Sequence, residues 1–125
     1  MTETTNFKAT LHELQEFLAL PIQNDRDVAG IIQAFEFTFE QSWKSIQKVA
    51  FTQGTTLGNP KAAFMYAMQN GWISTTQEEL WISLLKDRNL TTHTYAKDFA
   101  QEVLGRIQNH YTDMFQSLLE ALEKK

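Results

Sequence analysis

The sequence has no cysteine, only two prolines and five glycines, and no apolar run near the roughly 20 residues that span a bilayer. The absence of cysteine excludes disulfides, thiolate metal ligands and cysteine nucleophiles, and it is typical of a reducing compartment. We therefore expect a cytoplasmic protein without a membrane segment. A basic excess is also missing, because 11 basic and 15 acidic residues leave a net charge of −4. Any contact with nucleic acid should therefore be local.

The length and hydrophobic content are those of one folded domain covering residues 1–125. With 42% hydrophobic residues, the chain can bury a substantial core. The few prolines and glycines coincide with breaks in an apolar period of three to four residues, which indicates helices joined by short loops. We predict an all-α, up-and-down antiparallel bundle of four main helices and a short one. The main helices are expected at about residues 7–20, at 25–52, after the capping residues 74–76 and at 97–122, with the short helix at 60–71.

Phe37 does not fit a bundle that buries one face of the second helix. Counting about 100° per residue, burial of Phe35 and Phe39 turns Phe37 to the opposite side. It then packs against a neighbouring helix, or it lies at an interface between subunits. The last helix is apolar over more than the usual sector, which suits either a central helix or contact with a second copy. We predict a homodimer with Phe37 at its interface.

The common phosphate-binding loops and hydrolase motifs are absent, including Gly-x-Gly-x-x-Gly, the Walker loop, Gly-x-Ser-x-Gly and His-Glu-x-x-His. His12 and His110 each lack a second ligand at helical spacing, so no metal site is expected. Asp25 and Asp27 stand at a helix start, where they complement the helix dipole. We therefore expect this chain to hold no metal and no cofactor.

The segment most informative about function is Asp-Arg-Asn-Leu-Thr-Thr-His-Thr-Tyr at residues 87–95. If the fourth helix continues past Leu85, Arg88 points within about 20° of the middle of its apolar stripe. A buried or half-buried guanidinium is costly unless it is paired. Arg88 therefore either forms an ion pair with Glu36 or Glu40, or it lines a cleft that binds an anion.

His93 and Arg88 cannot share a ligand along one continuous helix. Five residues place the two side chains about 140° apart. The helix therefore ends between them, or a second chain completes the site. The polar run Thr91, Thr92 and Thr94 favours a break here, which would place His93 in the turn that leads to the last helix.

Two motifs together carry a resemblance to a known family. The string Arg-Asn-Leu-Thr-Thr-His-Thr-Tyr has the pattern R-x-x-x-x-H-x-Y, and Phe-Glu-Phe-Thr-Phe-Glu followed by Trp-Lys stands upstream within residues 35–44. In this order and at this spacing they resemble the nucleotidyltransferase substrate-binding protein family, part of the HEPN superfamily that includes the HepT toxins. The resemblance covers nearly the whole chain. One departure is Ala96, where relatives often have an acidic residue.

The resemblance implies a dimeric helical bundle that works beside a separate MNT-type nucleotidyltransferase encoded nearby, which would use ATP and Mg²⁺. This chain lacks that enzyme's glycine-serine and paired-aspartate signature, so it would be the partner and not the transferase. In HEPN ribonucleases the matching Arg and His meet at the dimer interface. That implies catalytic roles for Arg88 and His93, and supporting roles for Asn89, Asp87, Glu36 and Glu40.

Three functions remain open at this stage. In HepT-type pairs the tyrosine of the motif accepts AMP, so Tyr95 is the candidate acceptor. The first function is a metal-independent RNA endonuclease toxin silenced by that transfer, in which His93 moves the 2′-hydroxyl proton and Arg88 stabilises charge on the phosphate. The second is a noncatalytic subunit that presents a nucleotide or another substrate to the transferase, which the net charge of −4 favours. The third is a bundle that merely dimerises, with Arg88 in an ion pair.

Overall fold

The computed structural model describes residues 2–91 and 96–125, which contain helices and no strand. Helix α1 spans Thr5–Ala19, α2 spans Asp25–Thr52, α3 spans Pro60–Gln69 and α4 spans Glu78–Thr91. Helices α5 (Lys97–Arg106) and α6 (Thr112–Glu123) are joined by a π-helical turn at Ile107–Tyr111 and follow one another without a break. Within the described ranges, no helix combines the length and the hydrophobicity that crossing a membrane requires. The predicted all-α helical bundle is confirmed.

Asparagine side chains cap α2 and α3 at the predicted positions. Asn24 accepts a hydrogen bond from the Asp27 amide at 3.0 Å, and the Gln23 amide donates to the Asp27 carboxylate at 2.9 Å. This reciprocal arrangement satisfies amide groups that the first turn of a helix leaves unpaired. Asn59 accepts from the Ala62 amide at 2.8 Å, with a proline at the first helical position of α3.

Two local features differ from the sequence prediction. Ser74 caps a 3₁₀ turn at Thr75–Gln77 through the Thr76 amide at 3.2 Å, so α4 itself begins only at Glu78. The last helix is also not regular, because it passes through the π-helical turn. Such a turn widens the helix by one residue and rotates the faces before and after it relative to each other. An apolar period predicts a helix but not this local widening.

The core is built around α2, which contacts each of the other five α-helices. Four aromatic side chains meet there without solvent exposure or nearly so: Phe35, Trp81, Tyr111 and Phe115. The ring centroids of Phe35 and Tyr111 lie 5.6 Å apart, and those of Trp81 and Phe115 lie 5.8 Å apart. Full burial of one such side chain contributes about 1.5–3 kcal/mol. Because α6 packs on both α1 and α2, its wide apolar face is used within the chain.

Phe37 is turned away from this core, as the helical count predicts. Its side chain is 53% exposed, so no helix in the described part of the chain covers it. Met65 on α3 is likewise half-exposed, whereas Trp72 is buried in the core. The packing of Phe37 against a neighbouring helix is therefore not observed, and its place at a subunit interface stays a prediction.

Candidate functional site

Arg88 lies in the last turn of α4 and faces α2. Its Nη1 is 3.8 Å from an oxygen of Glu36, and its Nη2 is 3.4 Å from an oxygen of Glu40. The guanidinium carbon is 5.5 Å from the centre of the Phe39 ring, which is within cation–π distance. The structure thus contains the ion pair that was one of the two alternatives for Arg88. We call Arg88, Glu36 and Glu40 the Arg88 cluster.

The Arg88 cluster is unbalanced in charge and incomplete in hydrogen bonding. One guanidinium faces two carboxylates, and the side chains are 19%, 26% and 35% exposed for Arg88, Glu36 and Glu40. The Nε of Arg88 is buried and has no hydrogen-bond partner among the described residues. A buried donor without a partner costs about 1–3 kcal/mol. The two glutamates therefore hold Arg88 without satisfying it.

The upstream motif supplies this cluster from α2. Glu40 divides its two oxygens, one facing Arg88 and the other accepting a hydrogen bond from the Trp43 indole at 3.2 Å. Glu36 precedes Glu40 by one helical turn, so both reach the same side of α2. The two sequence motifs that carry the family resemblance are thus in contact.

Asp87 lies about 100° around α4 from Arg88 and is 4% exposed. Arg106 donates two hydrogen bonds to its carboxylate, from Nε at 2.7 Å and from Nη2 at 2.9 Å. The Tyr111 hydroxyl donates to the same carboxylate at 2.5 Å, and Ser83 Oγ lies 3.0 Å from that hydroxyl. We call these four residues the Asp87 network. It fastens α4 to the end of α5 and to the π-helical turn.

The Asp87 network was not predicted from the sequence. Asp87 was placed among the supporting residues of the catalytic site, and Tyr111 in the apolar stripe of the last helix. The helical count that singled out Arg88 also puts Asp87 about 60° from the buried Leu84, so the same signal was present for a second charge. Arg106 as its partner required knowledge of how α4 and α5 pack.

Ionisation of the Asp87 network is shaped by burial and by its own hydrogen bonds. Burial, and then the hydrogen bond to Asp87, raise the pKa of Tyr111 to about 12. The hydrogen bond to Asp87 is also the main cause of a raised pKa for Arg106. Near neutral pH the phenol therefore remains a neutral donor, and the guanidinium remains charged.

We expect alkaline pH to destabilise the wild-type chain more than the variant Tyr111→Phe. Because the folded pKa of about 12 exceeds the ordinary 10.0, the folded chain keeps the phenol proton in a range where the unfolded chain has lost it. This stabilisation is complete below pH 10 and falls as the pH rises toward 12, by about 1.4 kcal/mol at pH 11. Urea unfolding of both proteins at pH 9 and pH 11 measures the difference. An equal response to pH in both would contradict the prediction.

A groove of about 750 Å³ lies between the N-terminal half of α2 and the start of α5. Val28, Ile32 and Phe99 are among its apolar lining residues, and charged residues at its rim include Lys97, which pairs with Asp25 at 3.0 Å. Glu36 of the Arg88 cluster also lines it, as do Thr91 at the end of α4 and Lys97 at the start of α5. The groove therefore connects the Arg88 cluster with both ends of the segment 92–95.

His93 and Tyr95, predicted as catalytic base and AMP acceptor, lie outside the described residues. Asn89 lies on the exposed side of α4, next to the Arg88 cluster in sequence. In the ranges 2–91 and 96–125, no three His, Asp or Glu side chains are grouped so that they could hold a metal ion. The described part of the site therefore consists of the Arg88 cluster, the groove and the Asp87 network behind them.

The fold and these contacts define an all-α domain in which two polar motifs meet at the end of α4. The family described as nucleotidyltransferase substrate binding protein like matches residues 2–124, and the chain belongs to this family. A Thermus thermophilus protein, described as "Crystal structure of ttk003001694", is similar to it with a TM-score of 0.84 and 27% identity, over 93% of this chain and 98% of that chain. Among curated proteins there is no significant match.

Proposed function

We propose that the chain is the substrate-binding subunit of a two-component nucleotidyltransferase module, and that its homodimer is a metal-independent RNA endonuclease silenced by AMP transfer to Tyr95. One observation carries the proposal: Arg88 of the second motif contacts Glu36 and Glu40 of the first. Because α4 ends at Thr91, this guanidinium is in the last turn before the segment that contains His93 and Tyr95. The charged group and the two reactive side chains thus belong to one short stretch of chain.

The proposed cleavage needs no metal ion. His93 accepts the proton of an RNA 2′-hydroxyl, and the 2′-oxygen attacks the adjacent phosphorus. The bond to the 5′-oxygen breaks, a cyclic phosphate forms, and the leaving oxygen takes up a proton. Arg88 stabilises the negative charge that gathers on the phosphate oxygens. In the homodimer, Arg88 and His93 of the two copies come together, with the half-exposed Phe37 at the interface.

AMP transfer to Tyr95 would place a bulky anion beside the groove and so block the entry of RNA. The transferase would be the MNT-type protein encoded nearby, and ATP and Mg²⁺ would bind to it. The neighbouring open reading frame should therefore encode a small protein with a glycine-serine turn and two closely spaced aspartates.

A second candidate function is a noncatalytic subunit that presents a nucleotide or another substrate to the transferase. It is favoured by the charge of the Arg88 cluster, in which two carboxylates outnumber one guanidinium. The groove of about 750 Å³ has the size of a small-molecule site. In this function the groove would recognise the substrate, and Arg88 would orient it without chemistry.

The test of the proposal is intact-mass spectrometry after incubation with the neighbouring transferase, ATP and Mg²⁺. We expect wild-type chain to gain one or more AMP groups and Tyr95→Phe to gain none. Tyr66→Phe is the matched control, because it removes a phenol on α3 that bonds only to Gln53 among the described residues, and it should be modified like wild type. Unmodified wild-type chain, with ATP turnover by the partner confirmed, would contradict the proposal, as would full modification of Tyr95→Phe.

A further inference from the structure

We infer that Glu36 and Glu40 compete with substrate phosphate for Arg88 and thereby set the affinity of this site for RNA. The inference rests on the proposed function, because it takes Arg88 as the group that contacts phosphate. It adds that the ion pair and the anion-binding state are two alternative partnerships of the same guanidinium. Access to the site is then controlled by two carboxylates on α2.

Two arginines of the same chain hold their carboxylate partners in different ways. Arg106 holds one carboxylate, that of Asp87, through two hydrogen bonds of 2.7 and 2.9 Å. Arg88 instead reaches two different carboxylates, each through one nitrogen, at 3.4 and 3.8 Å. A paired fork on one carboxylate is the strong arrangement, whereas long contacts to partly solvated carboxylates are weak. The partners of Arg88 are therefore replaceable and the partner of Arg106 is not.

Arg88 also has an unused hydrogen-bond donor. Its Nε is buried and is without a hydrogen-bond partner in the described ranges, although a guanidinium offers five N–H groups in a fixed plane. A phosphate presents two oxygens at a spacing that fits the fork of one Nε and one Nη nitrogen. Binding of phosphate would thus fill a donor that the glutamates leave empty.

The local charge around Arg88 is negative in sign. With both glutamates ionised, an approaching phosphate meets two negative groups and one positive group, so the repulsion outweighs the attraction. With both glutamates neutral, the same phosphate meets only the guanidinium. The cluster therefore changes from disfavouring to favouring an anion when the two carboxylate charges are removed.

The test compares RNA binding of wild type and the double variant Glu36→Gln/Glu40→Gln. Glutamine keeps the length of the side chain and an oxygen that can face Arg88 and Trp43, while it removes the charge. The probe is fluorescein-labelled, 2′-O-methylated single-stranded RNA, which lacks the attacking hydroxyl and stays intact, and binding is followed by fluorescence anisotropy. We expect the double variant to bind about tenfold or more tightly than wild type. Each single variant should show a smaller gain.

Two further variants separate this effect from general charge. Glu13→Gln/Glu120→Gln removes the same formal charge from exposed positions on α1 and α6, and it should change the affinity less than about twofold. Adding Arg88→Gln to the glutamate double variant should abolish the gain. Circular dichroism confirms that every protein is folded, and the single variants serve if the double variant is not.

The inference is overturned if the glutamate variants bind no more tightly than wild type, if the exposed-site control gains as much, or if the gain survives loss of Arg88. These outcomes are distinct from failure of the ribonuclease proposal. A gain that depends on Arg88, without any RNA cleavage by wild type, would retain the competition and reject the nuclease. Cleavage by wild type without such a gain would do the reverse.

Discussion

Replacement of Asp87 by alanine should lower the free energy of unfolding by about 3 kcal/mol, the largest stability loss that we expect from a change at one polar side chain. The substitution leaves Arg106 without its carboxylate and the buried Tyr111 hydroxyl without its acceptor. The full penalty of an uncompensated buried charge is reduced here, because the Arg106 side chain is 35% exposed and water can reach it. The change also leaves a small cavity at a position that is 4% exposed.

Urea unfolding at pH 7 measures this loss, with two variants for comparison. Asp87→Asn keeps the shape and one acceptor oxygen but loses the charge, so it should cost less than Asp87→Ala. Asp113→Ala removes an exposed aspartate from the start of α6 and should stay within about 0.5 kcal/mol of wild type. A loss below about 1 kcal/mol for Asp87→Ala would show that the Asp87 network does not fasten α4 in place.

The helices were predictable because the signals that define them are local. The apolar period of α2 and the capping by Asn24 gave its bounds, Asp25–Thr52, and Asn59 with Pro60 gave the start of α3. Each of these depends on residues within a few positions of one another. The outward direction of Phe37 follows from the same helical count.

The π-helical turn and the Asp87 network were not predictable, because both depend on how distant segments pack. Asp87 and Arg106 are 19 residues apart, and they meet only because α4 and the last helix lie side by side. Sequence reasoning did narrow the partners of Arg88 to Glu36, Glu40 or an anion. The choice among them depends on the separation of α4 and α2, which the buried aromatic rings between the helices determine.

Arg88→Lys and His93→Ala should each reduce RNA cleavage by about a hundredfold or more. Lysine keeps the charge that faces Glu36 and Glu40, so the bundle should stay folded, but it lacks the planar fork that two phosphate oxygens require. Alanine at position 93 removes the only group proposed to accept the 2′-hydroxyl proton. Because the two residues act in one step, the double variant should be little worse than either single variant.

Cleavage of unmodified RNA by the purified chain, at saturating RNA and with EDTA present, tests the central claim that Arg88 and His93 form one metal-independent site. The control is Lys86→Ala, which removes an exposed basic residue from α4. We predict that wild type and Lys86→Ala cleave the RNA in EDTA and that Arg88→Lys and His93→Ala do not. The claim would be contradicted by absence of cleavage by the folded wild-type protein, or by equal cleavage by all four proteins.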